Sequence, residues 1–131
     1  MLVDSVGWIA YFINDGLADA YEPYLVNTEE LICSTINLYE VSRRIESSVG
    51  RRAAAEAVGQ MQKATIIPVD DTIATAASSF SITHKLAMAD AIIYATAQLH
   101  QATLITSDAH FAGLPGVTLI PHSHTGNATG K

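Results

Sequence analysis

Cysteine occurs once in the 131 residues, as Cys33, so no disulfide forms within the chain and no cysteine-built zinc module is available. A reducing, cytoplasmic setting is the matching expectation. No apolar run approaches the roughly 18 residues that a membrane span requires. The longest candidate, Val3 to Ile13, is broken by Asp4 and Gly7 and has no basic segment ahead of it, so neither a membrane helix nor a secretory signal is expected. Charged residues are scarce at 15%, while apolar ones reach 49%, and the mean hydropathy is +0.23. Such a composition excludes disorder. The 13.9 kDa chain suffices for one domain with a proper core and is too short for two. Basic residues are few, 7 against 13 acids, giving a net charge of −6. That balance argues against a phosphate-bearing partner unless the acids are gathered at a metal site.

Short apolar segments alternate with helical patterns. Met1 to Asp4 reads as a strand leaving into a turn at Ser5 and Gly7, and Trp8 to Ile13 as a first short helix. Asp15 to Asn27 reads as a surface helix interrupted near Pro23. Leu31 to Cys33 is a second apolar run, after which Ser34 or Thr35 caps a helix reaching about Glu46. Gly50 marks a break, and Ala53 to Lys63 is helical by propensity. Thr65 to Val69 reads as a strand, Asp70 or Asp71 caps a helix to about His84, and Ala89 to His100 carries a helical period. Thr103 to Thr106 and Val117 to Ile120 read as the last strands, with a turn at Gly113 to Gly116. Strands separated by helices indicate an α/β domain with a mainly parallel central sheet flanked by helices. That domain is expected over residues 1–121, with 122–131 as a mobile tail.

Most acids have an ordinary place beside arginines, at helix starts or in polar stretches. Four do not. Asp4, Glu40, Asp90 and Asp108 are each a lone carboxylate in otherwise apolar sequence. A buried, unpaired carboxylate shifts its pKa or finds a partner. Asp4 and Asp108 each follow an apolar strand, while Asp90 and Glu40 fall in the first and second turns of helices that follow strands. In a parallel sheet these positions share one edge, where ligands bind. Two like charges about 4 Å apart repel by about 4 kcal/mol at an effective dielectric of about 20. A divalent cation removes that conflict, and all-oxygen ligands favour Mg²⁺ or Mn²⁺ over zinc. A carboxylate-held ion that keeps water suits hydrolysis of a phosphodiester.

Met1-Leu-Val-Asp4-Ser5 with Trp8, Asn37-Leu-Tyr-Glu40, Ala89-Asp90-Ala91 with Tyr94 and Ala95, and Thr106-Ser107-Asp108-Ala-His110-Phe111 together resemble a PIN-domain ribonuclease, most of all the VapC toxins of toxin–antitoxin pairs. Each motif alone is weak; in this order, across residues 1 to 111, they are specific. The resemblance implies a PIN-like fold and Mg²⁺- or Mn²⁺-dependent cleavage of RNA. It implies Asp4 and Asp90 as metal ligands, Asp108 completing the site directly or through water, and Glu40 orienting the metal or its water. Thr106 or Ser107 would hydrogen-bond a carboxylate or phosphate. It also implies a cognate antitoxin that occupies the acidic cleft, and homodimers. One departure concerns the position two residues after Asp108, where many relatives carry a further acid and this chain has His110.

Arg43, Arg44, Arg51 and Arg52, with Lys63, lie in one segment. They offer an RNA-backbone or antitoxin-facing patch, or a solvated helical face with Arg52 paired to Glu56. His84 and Lys85 read as surface residues within reach of phosphate, His110 as a partly buried polar group, and His122 and His124 as tail residues. Trp8, Tyr11, Phe12 and Tyr39 offer rings for stacking on bases, but their apolar runs favour the core or a dimer interface. Met61 and Cys33 read as packing. A phosphoacceptor receiver module, which also collects Asp at a sheet edge, needs an early acidic pair and a lysine after a late strand; Asp4 has no acidic neighbour and no lysine lies between Lys85 and Lys131. A catalytically idle PIN-like binding domain is the other alternative, which retention of all four acids opposes.

Overall fold

The computed structural model describes residues 1–121; the tail expected at 122–131, with His122 and His124, lies outside the described residues. Five parallel strands, β1 (Leu2–Val3), β2 (Ile32–Ser34), β3 (Thr65–Ile67), β4 (Leu104–Thr106) and β5 (Val117–Leu119), form a sheet in the order β3-β2-β1-β4-β5. The helices are α1 (Ser5–Ile13), α2 (Ala18–Leu25), α3 (Thr35–Ser48), α4 (Arg51–Met61), α5 (Asp71–His84) and α6 (Met88–Leu99), with short 3₁₀ turns at Thr28–Glu30 and Ala109–Phe111. No described helix is long and apolar enough to cross a membrane.

Alternation along the strands sorts the core into two layers. Val3, Cys33 and Ile105 pack on one face with Trp8, Tyr21, Val41 and Met61 of α1 to α4, while Leu2 and Leu104 pack on the other with Ile73, Ile93, Tyr94 and Phe111. The chain builds β1, β2 and β3 outward in one direction, then returns to lay β4 against the other side of β1. The strand order therefore reverses between β1 and β4, the position at which open α/β sheets form a ligand crevice.

Several expected boundaries shift for local reasons. The first helix begins at Ser5, not Trp8, because the Asp4 side chain caps it, and Gly7 is helical and not part of a turn. A Cβ at Gly7 would lie 2.5 Å from the Tyr21 ring and 2.7 Å from Val3, so only glycine lets α2 approach α1 and β1 this closely. The helix around Pro23 is not interrupted there and runs to Leu25. Pro23 is exposed, leaving water to solvate the carbonyl it cannot serve. Nor is α2 a surface helix throughout, since Ala18, Tyr21 and Leu25 are buried. Gly50, at φ 140°, makes the expected break before α4. Asp70 caps α5 by accepting from the Ile73 amide at 2.9 Å.

Candidate active site

Asp4 stands at the carboxyl end of β1, where its backbone amide donates to the Ile105 carbonyl of β4 at 2.9 Å. Its side chain is 2% exposed. Oδ1 accepts from the Ser5 amide at 2.8 Å, and Oδ2 accepts from the Thr106 hydroxyl at 2.7 Å. The same Thr106 oxygen accepts from the Asp108 amide at 3.0 Å. One hydroxyl thus links the ends of the two strands that flank the reversal point. Burial pushes Asp4 up to about 7; the Thr106 and Ser5 hydrogen bonds oppose the rise, and nearby Asp90 and Glu40 add to it.

Glu40 comes from the second turn of α3. Ser5 Oγ donates to Glu40 Oε1 at 2.7 Å and accepts from Asn37 Nδ2 at 2.8 Å. Asn37 is fully buried, and its Oδ1 accepts from the Ser34 amide at 2.9 Å. Ser34 Oγ in turn accepts from the Ile36 amide at 3.1 Å, so the cap of α3 and the orientation of Glu40 are parts of one network. Ser34 is the cap, settling the choice between it and Thr35.

Asp90, in the first turn of α6, is raised chiefly by burial, then by Asp108 and Glu40, with His110 opposing. Asp108 caps the Ala109–Phe111 turn by accepting from the His110 amide at 2.9 Å. Its Oδ1 also lies 2.9 Å from His110 Nδ1. Asp4, Ser5, Glu40, Asp90 and Asp108 together line one cleft of about 260 Å³. The four acids that the sequence left isolated come from four elements and meet at one edge of the sheet.

Some expectations change on contact with this geometry. Asp4 and Asp108 are caps as well as cleft residues, so capping does not keep a carboxylate out of the cleft. Asp108 has a side-chain partner in the His110 imidazole, and His110 is not partly buried, its side chain being 78% exposed. Thr106 reaches a carboxylate, and Ser107 Oγ accepts from the Tyr21 hydroxyl at 2.8 Å. Arg43, Arg44, Arg51 and Arg52 are exposed on α3 and α4 and do not line the acidic cleft. Arg51 lies 3.8 Å from Glu46, in place of the pairing expected between Arg52 and Glu56. Arg44 Nε donates to Ser48 Oγ at 3.2 Å, and Arg43 borders a second groove with Tyr39. Trp8 is buried and stacks on Phe12 at 5.9 Å, whereas Tyr39 is 62% exposed. Sequence reading passed over Ser5, Asn37 and Tyr21 as site residues. Ser5 and Asn37 left a trace, since each stands within a motif beside an isolated acid; Tyr21 left none.

The sequence matches the family model of the PIN domain over residues 1–117. A toxin–antitoxin complex from Klebsiella pneumoniae contains a chain 30% identical to this one, covering 89% of this chain and 94% of that one with a TM-score of 0.75. VapC20 of Mycobacterium tuberculosis, described as a sarcin–ricin-loop-cleaving toxin, is 17% identical over 92% and 98% of the two chains, with a TM-score of 0.77. The DNA-bound VapBC of Salmonella typhimurium gives 19% identity, 92% and 96% coverage and a TM-score of 0.74. At those identities the last two show likeness of fold. No curated protein matches.

Proposed function

Because the chain belongs to the PIN-domain family, we propose that it is a divalent-metal-dependent endoribonuclease and the toxin of a toxin–antitoxin pair. The observation that carries this reading is the meeting of Asp4, Glu40, Asp90 and Asp108 in one cleft at the strand-order reversal. The donor set fits a hard cation. It is rich in carboxylate oxygen, and its innermost member is pushed up to about 7 by burial and by two acidic neighbours, a conflict that a bound cation relieves. Asp4, Asp90 and Asp108 would hold Mg²⁺ or Mn²⁺. Bound there, the ion supplies an activated water and neutralises phosphate charge.

The chain's own residues do the rest. Thr106 keeps one Asp4 oxygen fixed and ties it to the Asp108 backbone. Ser5 holds one oxygen of Glu40, leaving the other to orient the attacking water and accept its proton. The crevice at the sheet edge is open to a polymer substrate. Exposed Arg43, Arg44, Arg51 and Arg52 supply positive charge for RNA phosphates or for an antitoxin, which answers the net acidity of the whole chain. The relative seen in a toxin–antitoxin complex supports a cognate antitoxin, which on this reading covers the acidic cleft. The reading further takes residues 1–121 as the nuclease domain with 122–131 appended, the unit as a homodimer, and the cytoplasm as its place of action.

The test is an RNA-cleavage assay with Mg²⁺ or Mn²⁺, repeated with EDTA and with Asp4→Asn, the fold of the variant being checked by circular dichroism. Chelation and substitution are each expected to abolish cleavage. Activity that survives both rejects the mechanism, and a folded wild type that binds the cation yet cuts no RNA points to the idle binding domain instead.

A further inference from the structure

We propose that Asp90, Asp108 and His110 form a mixed oxygen–nitrogen cation site that takes a borderline transition ion, Zn²⁺ or Co²⁺, more tightly than Mg²⁺. The inference rests on the reading of this cleft as a cation site and adds a nitrogen donor that the carboxylate reading leaves out. Each of the three residues offers one ligand atom, and these atoms lie within 4.8 Å of one another. His110 Nδ1 is already 2.9 Å from Asp108 Oδ1, so a cation entering between them replaces the hydrogen bond and keeps both side chains near their present positions.

The site is held in place before any ion enters. Asp108 and His110 belong to the turn that Phe111 anchors, and Phe111 is fully buried. Its ring stacks on Tyr94 with centroids 6.4 Å apart, and Tyr94 lies one turn beyond Asp90 on α6. The Tyr94 hydroxyl donates to the Pro115 carbonyl at 2.7 Å, clamping the far end of the same loop onto the same helix. The backbones that carry the two carboxylates and the imidazole thus belong to two elements that cannot drift apart without breaking a buried ring contact.

The chemistry of the donors selects the ion. Mg²⁺ demands oxygen ligands in near-ideal octahedral geometry and keeps much of its water. Imidazole suits Zn²⁺ and its neighbours in the first transition row, and Zn²⁺ accepts mixed nitrogen and oxygen sets with lower coordination. Three protein ligands leave a position open to water. Since Asp90 and Asp108 would serve either ion, Zn²⁺ and Mg²⁺ compete for the cleft.

The test is calorimetric titration of the full chain with Zn²⁺ alone and with Mg²⁺ alone, comparing wild type, His110→Ala and a His122→Ala/His124→Ala control for the remaining tail imidazoles. His110 is exposed, so its truncation leaves the core intact, and ring ¹⁵N shifts of the wild type report the ligand directly. His110→Ala is expected to weaken Zn²⁺ by at least about tenfold, the low end of what supporting residues of metal sites cost when removed, while Mg²⁺ affinity changes by less than about twofold. The His110 ring nitrogens should shift on adding Zn²⁺, and the tail control should behave as wild type. Zn²⁺ affinity unchanged in His110→Ala, or lost only in the tail control, overturns this proposal and leaves the Mg²⁺ site standing. Binding of neither ion by the wild type overturns both.

Discussion

At the inner end of the cleft Asp4 is 2% exposed and both its oxygens accept hydrogen bonds from the chain itself. At the outer end, Asp108 is close enough to help raise half-buried Asp90, and the exposed His110 imidazole lies 2.9 Å from Asp108 Oδ1. The inner carboxylate is oriented by folding, through neighbours that are themselves buried. The outer pair is brought together by the backbone, and its charge is left for water, His110 or a ligand to balance. The same residue type therefore sits in two physical settings within one cleft: one carboxylate oriented by the fold, and a pair whose mutual repulsion the proposed ion would relieve.

The widest separation between the two ends is expected with pH. Burial holds Asp4 up to about 7 against an ordinary 3.8, so the folded metal-free chain keeps a proton that the unfolded chain has lost. That contribution to stability is complete below about pH 3.8 and is lost as pH rises through about 7, amounting to at most about 4 kcal/mol. Denaturant unfolding of metal-free wild type and Asp4→Asn across this range should show wild type losing ground to the variant as pH rises. Saturating Mg²⁺ should reduce the loss in wild type. A difference that does not change with pH would show that burial does not hold a proton on Asp4 in the folded chain.

Next in size is Ser5→Ala. It removes the hydroxyl that donates to Glu40 and leaves buried Asn37 Nδ2 without its acceptor, a cost of about 1–3 kcal/mol. Equilibrium denaturation measures it, and a loss below about 0.5 kcal/mol would show that the network does not hold the inner end together. The smallest effect is expected from Asp90→Asn in metal-free protein. Relief of repulsion from Asp108 and Glu40 should leave the melting temperature unchanged or raise it by about 1–3 °C. A drop of more than about 5 °C would assign Asp90 a structural role at the start of α6 and erase the contrast.

The elements whose signals are local are legible in the sequence. A cap at Ser34 or Thr35, a cap at Asp70 or Asp71 and the break at Gly50 are legible to within a residue, because each acts on backbone groups close to itself, whereas the strand expected to reach Val69 ends at Ile67, before Pro68. The start of α1 was missed for the opposite reason. Asp4 reads as the end of a strand, and its side chain is set for capping with help from Thr106, which is distant in sequence. His110 was misjudged because a lone histidine carries no sign of exposure; its solvent access comes from the 3₁₀ turn that Phe111 pins down. Tyr21 was invisible as a site neighbour, since its hydroxyl meets Ser107 across two elements of the fold.

The order of residues alone determined that this chain forms a parallel α/β sheet with four carboxylates stationed at strand ends and helix starts. Hydrophobic alternation and the cost of isolated buried charge are written into neighbouring residues. Whether those carboxylates meet, and which is fully buried and which are left half-buried, was decided only in three dimensions. Strand order set the reversal between β1 and β4, and hydrogen bonds such as that from Thr106 to Asp4 close only after the chain has returned to its own beginning.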